Sequence, residues 1–393
     1  MAKPTVRVAG IGAVSAAGHD VASHLNAFRS GLRNPTTHLP FDCSIAAPTF
    51  QVAAALPTQP PQYNKSRTLR LTMHALAEAL ADAQIEKFPS SVRVGVCIGT
   101  TVASQLNSLP FHEAYRRTGQ PPMEPVYDYL HANLAQAVGD LLGVSGPRMT
   151  VCNACSSGAD AIGIAASWIR AGLCDVAVAG GADEINRVPI AGFWSLGVMS
   201  SQPCAPFDRD RGGLNLGEGA GILVLESVAH AESRKKTNAF EIAGVGAACD
   251  AHHLTAPHPQ GRGLDVAIHS ALSQAGISPA EIGFINAHGT ATLDNDRVEA
   301  NLIARLFGPD VPFLSTKGYT GHTLGAAGGL EVIFTILGLR ENWIPASAGF
   351  ENRPDDIPIC PTRRRTDVDG QYALSTSLAF GGNNAAVLIR RIA

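Results

Sequence analysis

The chain has little charge, few aromatic side chains and no basic excess. Charged residues are 16% of its 393 positions and aromatics 6%, and 30 Lys and Arg against 33 Asp and Glu leave a net charge of −3. A balance that close to neutral gives no global basic field, which argues against nucleic acid or an anionic membrane as partner. No uninterrupted apolar run reaches the ~18 residues of a membrane span, and Met1–Val6 opens no signal-peptide stretch. The expected compartment is cytoplasmic. Low-complexity tracts and linkers are also missing, so two halves sharing one core are expected rather than two tethered domains.

Eight cysteines are scattered through the sequence, at 43, 97, 152, 155, 174, 204, 249 and 360. A chain of this length needs no disulfide framework, and most of them lie in apolar runs where a reduced thiol is expected. Hydrophobic residues reach 45%, enough for a large core, and 40 glycines without a G-X-Y period exclude collagen and suggest close backbone approaches.

Short β-branched runs alternate with Ala-rich helical stretches. Strands are expected at Val6–Val8, Val92–Ile98, Asp175–Ala179, Gly221–Leu225, Glu241–Val245, Gly283–Ala287, Pro312–Ser315, Tyr372–Thr376 and Ala386–Ile389. Helices are expected at Leu69–Ala83, Gly158–Ala171, Ala267–Ala275 and Gly325–Arg340. Strands without polar alternation, separated by helices, indicate sheets covered on both faces and a layered α/β architecture. Two Pro-rich segments, Asn34–Tyr63 and Leu109–Asp128, read as irregular excursions.

The strongest chemical signal is Thr150-Val-Cys-Asn-Ala-Cys-Ser-Ser-Gly158, read as a strand-to-helix turn that opens an Ala/Gly-rich helix. A thiol at Cys155 would lie at a helix N-terminus, where free amides and the macrodipole favour thiolate. Small neighbours would let a substrate carbonyl reach backbone N–H groups, as an oxyanion hole requires. An inert core thiol is the competing reading for an isolated Cys. Cys152-x-x-Cys155 has no second pair to complete a zinc site, and no metal is expected.

Two histidines stand out by context. His288 follows an apolar strand in Phe284-Ile-Asn-Ala-His-Gly-Thr-Ala-Thr292. His322 lies in Ser315-Thr-Lys-Gly-Tyr-Thr-Gly-His-Thr-Leu-Gly-Ala-Ala-Gly328, a Gly-rich turn that leads into a helix. Both occupy the strand-end and loop positions where α/β sheets present functional groups. Alone, either would be a satisfied structural residue; together with Cys155 and Lys317 they point to catalysis. His252, His253 and His258 fall in an irregular stretch without an acidic or Cys ligand set and read as surface loop. Gly10-Ile-Gly-Ala-Val-Ser-Ala-Ala-Gly18 resembles a dinucleotide loop but lacks the βαβ continuation.

These residues together resemble the β-ketoacyl-acyl carrier protein synthases, condensing enzymes of thiolase-like fold. The resemblance rests on Ala154-Cys-Ser-Ser-Gly158, Pro206-Phe-Asp-Arg-Asp-Arg-Gly-Gly213 with Gly217-Glu-Gly-Ala-Gly221, Asn286–Thr292, Ser315–His322 and Phe380-Gly-Gly-Asn383, five motifs in order over nearly the whole chain. It implies two similar halves in five α-β-α-β-α layers, 1–238 with the nucleophile and 239–393 with both histidines. It implies Cys155, His288 and His322 as a catalytic triad, Lys317 as the associated lysine with Glu331 as its partner, and Phe380 as a gating aromatic flanked by Gly381 and Gly382. Thr290 and Thr292 match positions that hold the phosphopantetheine arm, and Arg67 and Arg70, on a helix starting near Lys65, match basic positions that meet an acyl carrier protein.

The resemblance implies a 3-oxoacyl-[acyl carrier protein] synthase of a type II fatty acid, polyketide or aryl polyene system. No cofactor is implied beyond the carrier-bound phosphopantetheine. A dimer is implied, either a homodimer or a heterodimer with a related, catalytically silent chain-length subunit, with Tyr127–Ala137 and the strand near Asp175–Ala179 as expected interface segments. Ala379 and Asn383 stand where housekeeping elongation enzymes commonly show Gly and Thr, and Ala205 stands where some relatives carry Arg; a specialised pathway is the expectation that follows. A papain-like hydrolase would leave the second histidine and Lys317 without a task. A chain-length subunit would usually lack the Cys. A primer-loading synthase would have Asn in place of His322.

Overall fold

A computed structural model describes residues 5–60, 66–102, 109–131 and 133–392. In chain order its strands are β1 (Val6–Ser15), β2 (Val94–Gly99), β3 (Arg148–Val151), β4 (Val176–Asp183), β5 (Gly219–Ser227), β6 (Phe240–Cys249), β7 (Ile282–Asn286) and β8 (Phe313–Leu314). They continue with β9 (Trp343–Ile344), β10 (Thr366–Asp367), β11 (Tyr372–Leu378) and β12 (Asn383–Arg391). Ten of them hydrogen-bond in the order β3-β2-β4-β5-β1-β6-β12-β11-β7-β8, and β9 pairs with β10 in a separate ribbon.

The long sheet is the same pattern written twice. In β3-β2-β4-β5-β1 the first two pairings are parallel and the last two antiparallel. In β8-β7-β11-β12-β6 the sequence of parallel and antiparallel pairings is identical. The two sets meet only where Val6, Arg7 and Val8 of β1 pair with Ile242, Glu241 and Phe240 of β6. The helices Ser157–Arg170 and Ala327–Glu341 lie between the sets and touch each other and strands of both; Arg67–Ala83 covers one outer face and Arg262–Ala275 the other. That is the five-layered α-β-α-β-α thiolase-like architecture. The Ala327–Glu341 helix is buried on every side from Ala327 to Leu339, as a helix apolar all round except for Glu331 and Thr335, both hydrogen-bonded, requires at the centre.

Glycine makes the central layer possible. A Cβ on Gly181 of β4 would lie 2.1 Å from the Gly325 carbonyl oxygen, and one on Gly158 would lie 2.7 Å from the same atom. The two halves therefore touch backbone to backbone. Gly10 and Gly12 serve the same end on the other face: a Cβ there would meet Ala79 O at 2.2 Å and Ala75 O at 2.0 Å, on the Arg67–Ala83 helix. Those glycines sit inside β1 and admit a helix, so the dinucleotide-like spacing has a packing cause.

Two expectations need correction. Leu109–Asp128 is not irregular, because helices run over Leu109–Thr118 and Glu124–His131. Pro110 and Pro125 fall in their first turns, where the missing N–H would have no partner anyway. The strand near Asp175–Ala179, expected at the subunit interface, is β4, which lies between β2 and β5, is buried throughout and so offers no edge to a second subunit; the exposed edge of that set is β3. Of the other expected interface segment, Tyr127–Ala137, residue 132 lies outside the described residues, as does Lys65 near the start of the Arg67–Ala83 helix.

Candidate active site

Cys155 follows a left-handed turn. Ala154 has φ of 50°, and the turn is held by Ser157, whose Oγ donates to Ala154 O at 2.6 Å and accepts from Asn153 N at 2.7 Å. The helix starts two residues on, at Ser157. This is the strand-to-helix turn expected, with one electrostatic difference. Burial pushes the Cys155 thiol up to about 12, against the lowering effects of Lys317 and of the Phe380 N–H directed at its sulfur. Desolvation of the buried sulfur favours the thiol at Cys155, against the thiolate expected from a helix N-terminus alone.

His288 comes at the end of β7 and His322 in the turn before the Leu324–Ala326 helical turn; both are buried. Their rings lie 5.1 Å apart, nearly perpendicular, and the reactive atoms of Cys155, His288 and His322 all fall within 4.8 Å of one another. Each imidazole has its Nδ1 occupied as an acceptor. Lys317 Nζ donates to His288 Nδ1 at 3.0 Å, and the Leu324 N–H donates to His322 Nδ1 at 3.2 Å. The proton of each neutral ring is therefore on Nε2. Both rings are held well below their ordinary value of 6.5, by burial first and then by the Lys317 charge. The result is a pair of uncharged N–H donors.

Lys317 is fully buried and uses all three of its ammonium protons. Besides His288 Nδ1 it donates to His288 O at 2.6 Å and to Glu331. Glu331, on the central helix, is pushed up to about 7 by burial and pulled down by Lys317. The Cys155, His288 and His322 atoms also have the composition of a three-ligand metal site. An ion there would face the Lys317 ammonium through His288, which disfavours a second positive charge.

A cavity of about 290 Å³ leads to these residues, lined among others by Thr290, Thr292, Phe193 and Phe380. Thr290 and Thr292 share a hydroxyl hydrogen bond of 2.8 Å. Phe380 stacks on Phe193 with ring centres 5.4 Å apart. Gly381 and Gly382, at φ of 87° and 83°, take conformations that favour glycine. The Asp250–Gly261 loop with its three histidines is tied to this segment: Gly381 N donates to Leu254 O and Asp250 N to Gly382 O, both at 2.7 Å.

Arg67 and Arg70 lie on the expected helix but are engaged internally. Arg67 forms a two-pronged pair with buried Glu218 and also reaches Val52 O; Arg70 donates to Leu56 O and Pro57 O. Both anchor the segment before their helix, so neither offers a wholly free basic head.

Sequence reasoning missed two acids that build the His288 loop. Glu299 accepts the N–H groups of His288 and Gly289, both at 2.8 Å, and Asp296 accepts those of Phe207 at 2.6 Å and Thr290 at 2.9 Å. Their signal was present, since they lie three apart on one face of the Leu293–Phe307 helix, directly after the His motif.

Comparison with known proteins follows the same lines. The family model for the beta-ketoacyl synthase N-terminal domain matches residues 49–231, and that for the C-terminal domain matches residues 239–351. The chain is 35% identical over 339 residues to 3-oxoacyl-[acyl-carrier-protein] synthase 2 of Staphylococcus aureus (strain COL), covering 82% of each. Among solved structures it resembles a ketosynthase in complex with its chain length factor from Xenorhabdus doucetiae, with TM-score 0.87 and 32% identity over 99% of this chain and 98% of that one. It resembles a beta-ketoacyl synthase from Burkholderia phymatum STM815 with TM-score 0.91 and 30% identity, over 99% of this chain and 100% of that one.

Proposed function

The chain belongs to the beta-ketoacyl synthase family, and from that premise we propose a residue-level account of its reaction. It is a condensing acyltransferase, a 3-oxoacyl-[acyl carrier protein] synthase that extends an enzyme-bound acyl group with malonyl-acyl carrier protein and releases carbon dioxide. Cys155 attacks the acyl thioester; its thiol proton leaves with the sulfur of the departing carrier, and the acyl group stays on Cys155. Malonyl-carrier then enters, its C–CO2 bond breaks, and the electron pair moves onto the thioester as an enolate. The enolate carbon attacks the Cys155 acyl carbonyl, whose oxygen the N–H groups of Cys155 and Phe380 would hold. Collapse expels the Cys155 thiolate, which takes up one proton and restores the enzyme.

The observation that supports this most directly is the pair of buried rings whose Nδ1 atoms are both occupied. Two neutral Nε2–H donors beside the nucleophile meet an enolate oxygen without burying a full positive charge there. Lys317, balanced by Glu331, holds one ring; Leu324 N holds the other. Every step is heterolytic, so this reading needs no metal or redox cofactor. Thr290 and Thr292 are assigned to the phosphopantetheine arm and Phe380, with Gly381 and Gly382, to the gate over Cys155. The division into halves at 238/239 belongs to the same reading, in the stretch between β5 and β6.

An acyl carrier protein is the partner this requires, delivered to the rim of the cavity. Arg67 and Arg70 can contribute only through what remains of their guanidinium groups. A second subunit is assigned to the exposed edge strand β3, where Met149 faces solvent. The likeness to a ketosynthase bound to its chain length factor favours a related, catalytically silent subunit over a second copy. No helix among the described residues is long and apolar enough to cross a membrane, which suits a cytoplasmic reaction.

Intact-protein mass spectrometry with a panel of saturated and polyunsaturated acyl carriers, followed by malonyl-carrier, tests the reading. An acyl adduct on Cys155 that malonyl-carrier discharges is expected. Absence of any adduct, alone and with candidate chain-length subunits, would refute it.

A further inference from the structure

Asp183 ends β4 at the centre of the molecule, is completely buried, and has no step to perform in the reaction. Its two oxygens collect donors from separate pieces of chain. On one side Thr100 Oγ1 donates at 2.9 Å, Thr101 N at 3.0 Å and Thr101 Oγ1 at 2.9 Å. On the other the Gly325 N–H donates at 2.7 Å. No cation stands among these partners. The neutral donors alone hold the charge, and burial pushes the carboxyl up to about 6 in spite of them.

Both pieces of chain adjoin the reacting groups. Thr100 follows β2 and donates its N–H to Val151 O at 2.9 Å, while Cys152 Sγ donates to Thr101 O at 3.1 Å; both contacts reach the segment that leads into Cys155. Gly325 belongs to the turn after His322, next to Leu324, whose N–H fixes the His322 ring and whose φ is a strained 53°. Around them Gly158, Gly181 and Gly325 meet backbone to backbone. Such contacts set how closely two layers approach, but they have no side chains to stop one sliding over the other. Directional hydrogen bonds supply that registration.

We propose that Asp183 is a positioning residue for condensation. Its carboxylate clamps the end of β2, beside the nucleophile segment, to the Gly325 amide of the His322 turn, and so sets where the His322 Nε2–H lies relative to Cys155. The inference rests on the condensing mechanism above.

The test uses Asp183→Ala and Asp183→Asn in the full-length enzyme, with whatever subunit it requires. Acyl loading of Cys155 and steady-state condensation with malonyl-carrier are measured separately. A misplacement of about 1 Å costs on the order of a hundredfold in rate. For Asp183→Ala the expected result is kcat for condensation down about 10- to 100-fold, with loading and KM for malonyl-carrier each within about threefold of wild type. Asp183→Asn keeps an oxygen for the Gly325 N–H and should recover most of kcat. Equal losses in loading and condensation would make Asp183 a general structural residue and overturn the proposal; so would wild-type kcat in Asp183→Ala. If Asp183→Ala does not fold, a Thr100→Val/Thr101→Val variant loosens the other end of the clamp and carries the same expectation and the same refutation. A wild-type enzyme that neither loads nor condenses would instead refute the condensing reading, and the positioning role with it.

Discussion

Replacing His322 with alanine separates the two half-reactions. The Leu324 N–H, 3.2 Å from Nδ1, is a backbone donor that does not rotate away, so the ring is held as an Nε2–H donor before substrate arrives. Burial and the Lys317 charge keep that ring neutral. Removing one such preorganised donor from an oxyanion site typically costs about 2.7–4 kcal/mol, or ~10²–10³ in kcat. The enolate has two donors in this account, so condensation and malonyl decarboxylation by His322→Ala should both fall by roughly that factor. Loading should stay within about threefold, because the acyl carbonyl there is met by the N–H groups of Cys155 and Phe380. Loading is read by intact-protein mass spectrometry and decarboxylation by conversion of malonyl-carrier to acetyl-carrier. His322→Gln places an amide N–H near the lost donor and should recover part of the rate, which tells donor loss from collapse of the emptied space. Decarboxylation within about threefold of wild type, or loading that falls as far as condensation, would refute the reasoning.

Cys155→Ala should abolish acyl loading yet still decarboxylate malonyl-carrier, since both rings and Lys317 remain; loss of both activities would contradict the assignment. Lys317→Met strands Glu331 without its cation, and breaking a buried pair in this way typically costs about 3–5 kcal/mol. Lys317→Met/Glu331→Gln should regain over half of that in denaturant unfolding, and a double variant no more stable than the single one would show the pair is not coupled. His24 is fully buried and pushed down to about 4 from 6.5 by desolvation. Between those values the unfolded chain binds a proton that the fold does not, so its contribution is complete above pH 6.5 and is lost as pH falls toward 4. A shift of this size corresponds to about 3 kcal/mol. Unfolding midpoints measured against pH should show that slope, and His24→Gln should flatten it.

The parts of the fold legible in the sequence were those where local and tertiary preferences agree. The runs that became β2, β4 and β11 are β-branched or small and bounded by turn residues, and the Leu69–Ala83 stretch alternates apolar and polar positions at a helical period. What escaped depended on partners distant in sequence. β3 is four residues with no run of its own and exists because β2 offers it a parallel edge. The Leu109–Thr118 helix was hidden because proline was counted without regard to its place in the first turn. Cys155, His288, His322 and Lys317 announced themselves through glycines and small residues that clear space around reactive atoms. Asp183 gave no such sign, because it accepts from Thr100, Thr101 and Gly325, all far away in the sequence, and no residue type at either end marks that.

The error over Cys155 bears on how the site treats charge. A helix N-terminus read in isolation favours thiolate, whereas the enclosed sulfur is held as a thiol, both imidazoles are neutral, and the Lys317 ammonium has its three protons committed to His288 and Glu331. The cation nearest the rings is thus already paired, through Glu331 Oε1, and is not offered to the cavity. In the proposed reaction a malonyl carboxylate brought beside the rings finds the Lys317 ammonium already committed, while the thioester oxygen next to it finds two N–H donors. Ground-state charge on the carboxylate is left poorly compensated, and the charge that develops on the enolate oxygen as carbon dioxide departs is met by groups already in place. An enzyme gains rate only from interactions stronger in the transition state than before it. A site electropositive enough to hold Cys155 as thiolate would also have held the malonyl carboxylate, and so would have opposed the decarboxylation that drives carbon–carbon bond formation.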